Sequence, residues 1–197
     1  MWAAITPPAA ERQGSKKGVH LMSYTVEALE AELPVRTYLR ECVDVERFLG
    51  YCQACENYAR RWSCPPFAFP PLQLWREFDR LRLFVRVLRP SLEETASSLT
   101  QGMRSEKAKL LTELLELERR KPGALALSAG SCDLCGDDCA RMHGERCRDP
   151  KEMRYSIEAL GGDVGKTLER YFHRSIAWME KDRVPEYLTL VGGLLLK

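Results

Sequence analysis

The 197-residue chain has almost no excess charge of either sign: 30 Lys and Arg oppose 28 Asp and Glu, for a formal net charge of +2. Without a strong field of one sign, nothing points to nucleic acid or an anionic membrane surface as partner. Long apolar runs are also missing. The longest candidate is the tail Leu194-Leu195-Leu196, far short of the ~18 residues that a membrane helix needs, so no membrane partner is expected. The opening residues Met1 to Lys17 lack the basic stretch ahead of an apolar core that marks a secretory signal. No internal repeat is found, and no Ser-His-Asp triad or paired carboxylates stand at a spacing that supports hydrolytic chemistry. With 45% hydrophobic and 29% charged residues, the composition excludes a collagen-like or wholly disordered chain. The length fits one domain with its own core.

Eight cysteines are what is there. Their density lies below the roughly 8–10% of disulfide scaffolds, and without a secretory signal the expected compartment is the reducing cytoplasm. Close cysteine pairs in that setting read as metal or redox chemistry.

Residues 1–23 show no periodicity and read as a flexible leader, with Met22 as an alternative start; residues 24–197 read as one cysteine-rich metal-binding domain. Thr25 to Ala31 predicts a short helix stopped by Pro34, and Val35 to Leu39 a first strand. Leu72 to Asp79 predicts a helix. In Leu81 to Leu88, residues Leu81, Leu83, Val85 and Val87 share one face, the period of a strand. Ser91 with Glu94 predicts a capping box for a long helix, with a break near Gly102 and an end at Pro122-Gly123. Ala124 to Ser128 reads as a short buried strand. Asp149-Pro150 with Glu152 predicts a capped helix stopping at Gly161-Gly162, another helix runs to about Met179, and Glu186 to Leu196 is a closing strand. This alternation predicts an α/β fold: a single layered domain with a mixed or mostly parallel sheet of about four strands, helices, and both cysteine loops at one sheet edge.

The first cysteine set is Cys52, Cys55 and Cys64, the last followed by Pro65-Pro66. A Cys-x2-Cys turn lets two thiolates face one ion or cluster, and Cys-Pro endings occur in ferredoxin-type sites. Three ligands leave such a site one short. The second set is Cys132, Cys135, Cys139 and Cys147, four thiols within sixteen residues, enough for one [4Fe–4S] cluster or one tetrahedral zinc. A helix beginning at Asp149 would direct its N-terminal dipole toward that set. Seven cysteines clustered in two short loops do not resemble scattered core residues. The thiolate-only donor set and the Cys-Pro ending favour iron–sulfur over zinc. Cys42 stands apart; it reads as core, with a ligand role as the alternative, and His143 is a further candidate non-cysteine ligand.

The stretches Cys52-Gln53-Ala54-Cys55-Glu56-Asn57-Tyr58 and Trp62-Ser63-Cys64-Pro65-Pro66, with Gly130-Ser131-Cys132, Cys135, Cys139, Cys147-Arg148-Asp149-Pro150 and Arg154-Tyr155-Ser156-Ile157-Glu158-Ala159, resemble the cysteine-rich predicted metal-binding family known as domain of unknown function 2284. The resemblance covers about residues 35 to 195. It implies metal binding, of iron–sulfur type, through the seven cysteines, and no particular reaction. Tyr155 departs from the Pro of the family pattern.

Other signals are weaker. Gly161-Gly162-Asp163-Val164-Gly165-Lys166-Thr167 ends like a phosphate-binding loop, but Leu160 stands where the motif needs Gly. Arg60, Arg61, Arg146, Arg148 and Arg154 flank the cysteines among acidic residues and read as a mixed solvated surface. Tyr51, Tyr58, Trp62 and Phe67 read as a hydrophobic shield over the first site. The expected role is electron transfer, redox sensing or cluster-dependent chemistry with a redox partner protein. A zinc-stapled binding module is the alternative, and a thiol redox enzyme using Cys52-Cys55 or Cys132-Cys135 a third reading.

Overall fold

Leu81, Leu83, Val85 and Val87 do line one face of a strand, each fully buried, while Phe84 and Leu88 point to an equally buried opposite face. A strand buried on both sides sits centrally in a sheet covered by helices. The computed structural model describes residues 24–91, 95–179 and 183–197. In chain order it contains β1 (Tyr24–Pro34), α1 (Val35–Cys42), α2 (Val45–Gln53), α3 (Pro71–Arg76), β2 (Arg80–Pro90), α4 (Ala96–Arg120), β3 (Leu125–Leu127), α5 (Val164–Phe172) and β4 (Leu188–Leu196). The proposed leader, residues 1–23, lies outside the described residues, as does Glu94 of the expected cap.

The sheet order is β1-β2-β4-β3 and every neighbouring pair is antiparallel, which corrects the expectation of a mixed or mostly parallel sheet. The reason lies in β4. β2 and β3, joined through α4, run in the same direction as alternation implies, but β4 inserts between them and pairs antiparallel with both. One face of the sheet packs on α4 through Leu110 and Leu114; the other carries the larger core around Tyr38, Trp75, Ile157 and Leu160.

The first two elements exchange identities. Thr25 to Ala31 lies in β1, and Val35 begins α1. Pairing with β2 along all eleven residues outweighs the helical propensity of the Ala, Leu and Glu residues, and Glu30 and Glu32 meet Arg82 and Arg80 across the ladder. Pro34 therefore starts a helix instead of ending one. Thr95 and Ser98 form the observed capping box of α4, and the helix passes Gly102 unbroken. That glycine lies under the ring of Tyr24, where a Cβ would come within 2.7 Å of Cε1.

The expected helix from Asp149 is a single turn, in which Glu152 and Met153 donate to the Asp149 carbonyl. Beyond it, Arg154 pairs with Glu118 of α4, Ser128 donates to the Tyr155 carbonyl, and the Tyr155 ring meets Phe67 and Phe69. These tertiary contacts hold the chain extended until a short 3-10 turn at Glu158–Leu160. The helix expected to begin at Asp149 and face the second cysteine set is therefore replaced by this single turn. α5 ends at Phe172, short of the expected Met179.

Candidate metal centre

Cys52 lies near the end of α2, which starts at Asp44, whose side chain accepts from the Arg47 N–H. Successive tight turns then carry the loop: Cys55 donates to the Cys52 carbonyl, Tyr58 to that of Cys55, and Cys64 to that of Arg61. This loop follows a helix, not the strand expected for it, so strand ends cannot be what brings the two cysteine sets together. The second loop does follow a strand, β3, and folds through turns and a 3-10 turn at Ala140–His143.

Side chains join the loops. Arg61 Nη1 donates to the carbonyls of Cys132 and Gly136, both at 2.8 Å, and the Cys132 N–H donates to Ser63 Oγ at 2.9 Å. In the other direction Arg141 donates to the carbonyls of Arg61, Cys64 and Pro66, and its guanidinium stacks over the Trp62 ring at 5.1 Å. Trp62 Nε1 donates to the Glu145 carbonyl at 3.0 Å. Arg61 is thus an inter-loop clamp and not part of a solvated surface. Arg141 was not singled out from the sequence, where it is one more arginine in a charged loop.

All eight cysteines are free thiols. Within the first set, Cys52 is pushed up to about 11, first by burial and then by the neighbouring Cys64 and Cys55; burial likewise raises Cys64. In the second set burial raises Cys132, with Cys147 and Cys135 adding to it, and raises Cys147, with Cys135 and Cys139 adding. Each of these four thiols feels members of its own set. The four of the second set line one small cavity together with Trp62 and Met153. Backbone N–H groups two residues on point at three sulfurs: Leu134 at Cys132, Asp149 at Cys147, and Asn57 at Cys55 at 3.5 Å. Such donors favour the thiolate.

The remaining candidates separate. Cys42 is 2% exposed in the core beside Thr167, and its thiol is raised by burial. His143 Nε2 is bound to Asp138 Oδ1 at 2.6 Å on the exposed side of the second loop. The aromatic shield is redistributed: Trp62 lines the second site, Phe67 stacks on Phe69, and Tyr51 is 58% exposed. In the phosphate-loop look-alike, Gly161 has φ +87° and a Cβ there would come within 2.7 Å of Val45 Cα. Asp163 caps α5 and Thr167 is buried against Tyr38, so packing and capping account for the motif. A cleft of about 630 Å3 opens between the loops and α4; of the four cations that line it, Arg61, Lys107 and Arg154 are paired with Asp137, Asp133 and Glu118, and Arg104 completes the lining.

A family model described as "Predicted metal-binding protein (DUF2284)" matches residues 39–196. The chain belongs to this predicted metal-binding family. No curated protein and no solved structure matches it. The match begins inside α1, so β1, which pairs along β2, lies outside the family segment. The donors fit what the family description says: thiols in two sets, each set close enough to raise its own members, with N–H groups turned toward sulfur. Among the described residues no group of three or more His, Cys, Asp or Glu side chains is closed tightly enough to hold an ion as it stands. No helix among the described residues is long and apolar enough to cross a membrane.

Proposed function

We propose that this protein holds iron–sulfur clusters of the [4Fe–4S] type, one on Cys132, Cys135, Cys139 and Cys147 and a second at Cys52, Cys55 and Cys64. In this reading it serves electron transfer, redox sensing or cluster-dependent chemistry in the cytoplasm. The observation that carries the reading is the cavity lined by four thiols from one loop. An all-thiolate donor set with N–H···S bonds is the environment such clusters take, and those bonds with the surrounding burial tune their potential. Such a cluster supplies one-electron chemistry when bound. The chain's own part is to supply thiolates, to limit water through Trp62 and Met153, and to hold the two loops in register through Arg61 and Arg141.

Anaerobic purification, iron and sulfide quantification and a visible spectrum test the reading. The expected result is a brown protein with about four iron and four sulfide per occupied site. A colourless protein that takes up zinc and no iron after anaerobic reconstitution would replace it with a zinc-stapled binding module, whose metal is structural and whose removal by chelator unfolds the chain.

A further inference from the structure

The three-cysteine set lacks a fourth donor, and the structure withdraws both candidates suggested by the sequence. Cys42 is committed to the core under Thr167, and His143 to Asp138. A different residue stands beside Cys52. Glu158 opens the 3-10 turn Glu158–Leu160, which packs against α2, the helix that carries Cys52.

The turn is pinned from two sides. Asp44 at the start of α2 donates to the Gly161 carbonyl at 2.8 Å, and the buried Trp75 Nε1 donates to the Leu160 carbonyl at 3.0 Å. The Glu158 carboxyl draws on the Ser156 hydroxyl and on its own N–H, yet its Oε2 is sealed from solvent and has no hydrogen-bond partner. An orphaned buried carboxylate oxygen is costly unless something satisfies it. Its titratable neighbours are Cys52, Tyr38 and Lys107. Tyr38 is hydrogen-bonded to Thr167, and Lys107 to the Ser131 carbonyl and Asp133. Neither donates to Oε2. A cation held at the thiols of Cys52, Cys55 and Cys64 would satisfy it.

We infer that Glu158 is the non-cysteine ligand of the three-cysteine site, its Oε2 completing the donor set that Cys52, Cys55 and Cys64 leave one short. The inference rests on the metal-binding reading above. A hard oxygen donor is the weakest member of a thiolate set for a soft or borderline metal.

The test uses the full chain, anaerobically reconstituted with 57Fe and sulfide, as wild type, Glu158→Gln and Glu158→Cys. Mössbauer spectra of the wild type should contain one iron environment with an oxygen ligand alongside all-thiolate iron. In Glu158→Gln, iron per chain should fall by about half, with the four-cysteine site intact. Glu158→Cys should restore the stoichiometry and remove the oxygen-ligated signal. Wild-type spectra with thiolate-only iron at both sites would overturn the assignment even if the Gln variant failed to fold, as would a Gln variant with unchanged iron and spectrum. A wild type that takes up no metal at all would instead overturn the metal-binding reading, and this assignment with it.

Discussion

The two cysteine loops gather their thiols by different construction. The second draws four thiols from one continuous segment, Cys132 to Cys147, and lines one cavity with them. The first has three, carried on the end of α2 and on tight turns, and it leans on neighbours: Arg141 of the other loop binds three of its backbone carbonyls, and Glu158 lies near Cys52 on a distant turn packed against α2. A site built from one segment is specified locally. A site built across segments exists only once the fold has formed, so the two should respond differently to the same disturbance.

The largest effect should come from breaking the self-contained loop. Cys132→Ser should abolish metal at the second site and leave the first occupied, as metal per chain after anaerobic reconstitution will show. Loss at both sites would mean that the loops are not independent. Next in size is Arg141→Ala, which strips donors from the carbonyls of Arg61, Cys64 and Pro66. We expect about 2–3 kcal/mol of lost stability in urea titrations, and weaker metal binding at the first loop than at the second. Arg141→Lys should recover little, since a single ammonium cannot reproduce the planar fork.

Proton linkage is a smaller, graded test. Burial raises Cys52, to about 11, and also Cys64, Cys132 and Cys147, so these thiols are protonated at neutral pH and must release protons to bind metal. Affinity at both loops should therefore rise with pH between about 6 and 8, with proton release measurable by calorimetry in buffers of different ionisation enthalpy. The metal-free protein should behave oppositely. Its protonated buried thiols favour the fold below the ordinary thiol range, and that contribution is lost as pH climbs toward about 11, the value for Cys52. The smallest effect is expected from Cys42→Ala: unchanged metal at both sites and about 1 kcal/mol of lost stability from a small core cavity. A drop in metal would place Cys42 in the first site after all.

Much of the chemistry was legible because it is written in spacing. Cys132, Cys135, Cys139 and Cys147 needed no fold to be grouped, and the alternation from Leu81 to Val87 identified β2 because a period of two survives any context. The exchange of β1 and α1 was not legible. Residues 25–31 have helical propensity, and only pairing with β2 overrides it. The helix expected from Asp149 failed for the same reason, since Arg154 and Tyr155 find partners in Glu118, Phe67 and Phe69 that hold the segment extended.

The cysteine spacing grouped the thiols into two sets and carried the resemblance to a metal-binding family, because spacing is a property of neighbours along the backbone. The insertion of β4 between β2 and β3, the clamp of Arg61 and Arg141, the burial of Cys42 and the placing of Glu158 beside α2 were decided only by tertiary structure. Each joins residues far apart in sequence, where packing and the need to satisfy buried polar groups, not local pattern, determine which residues meet.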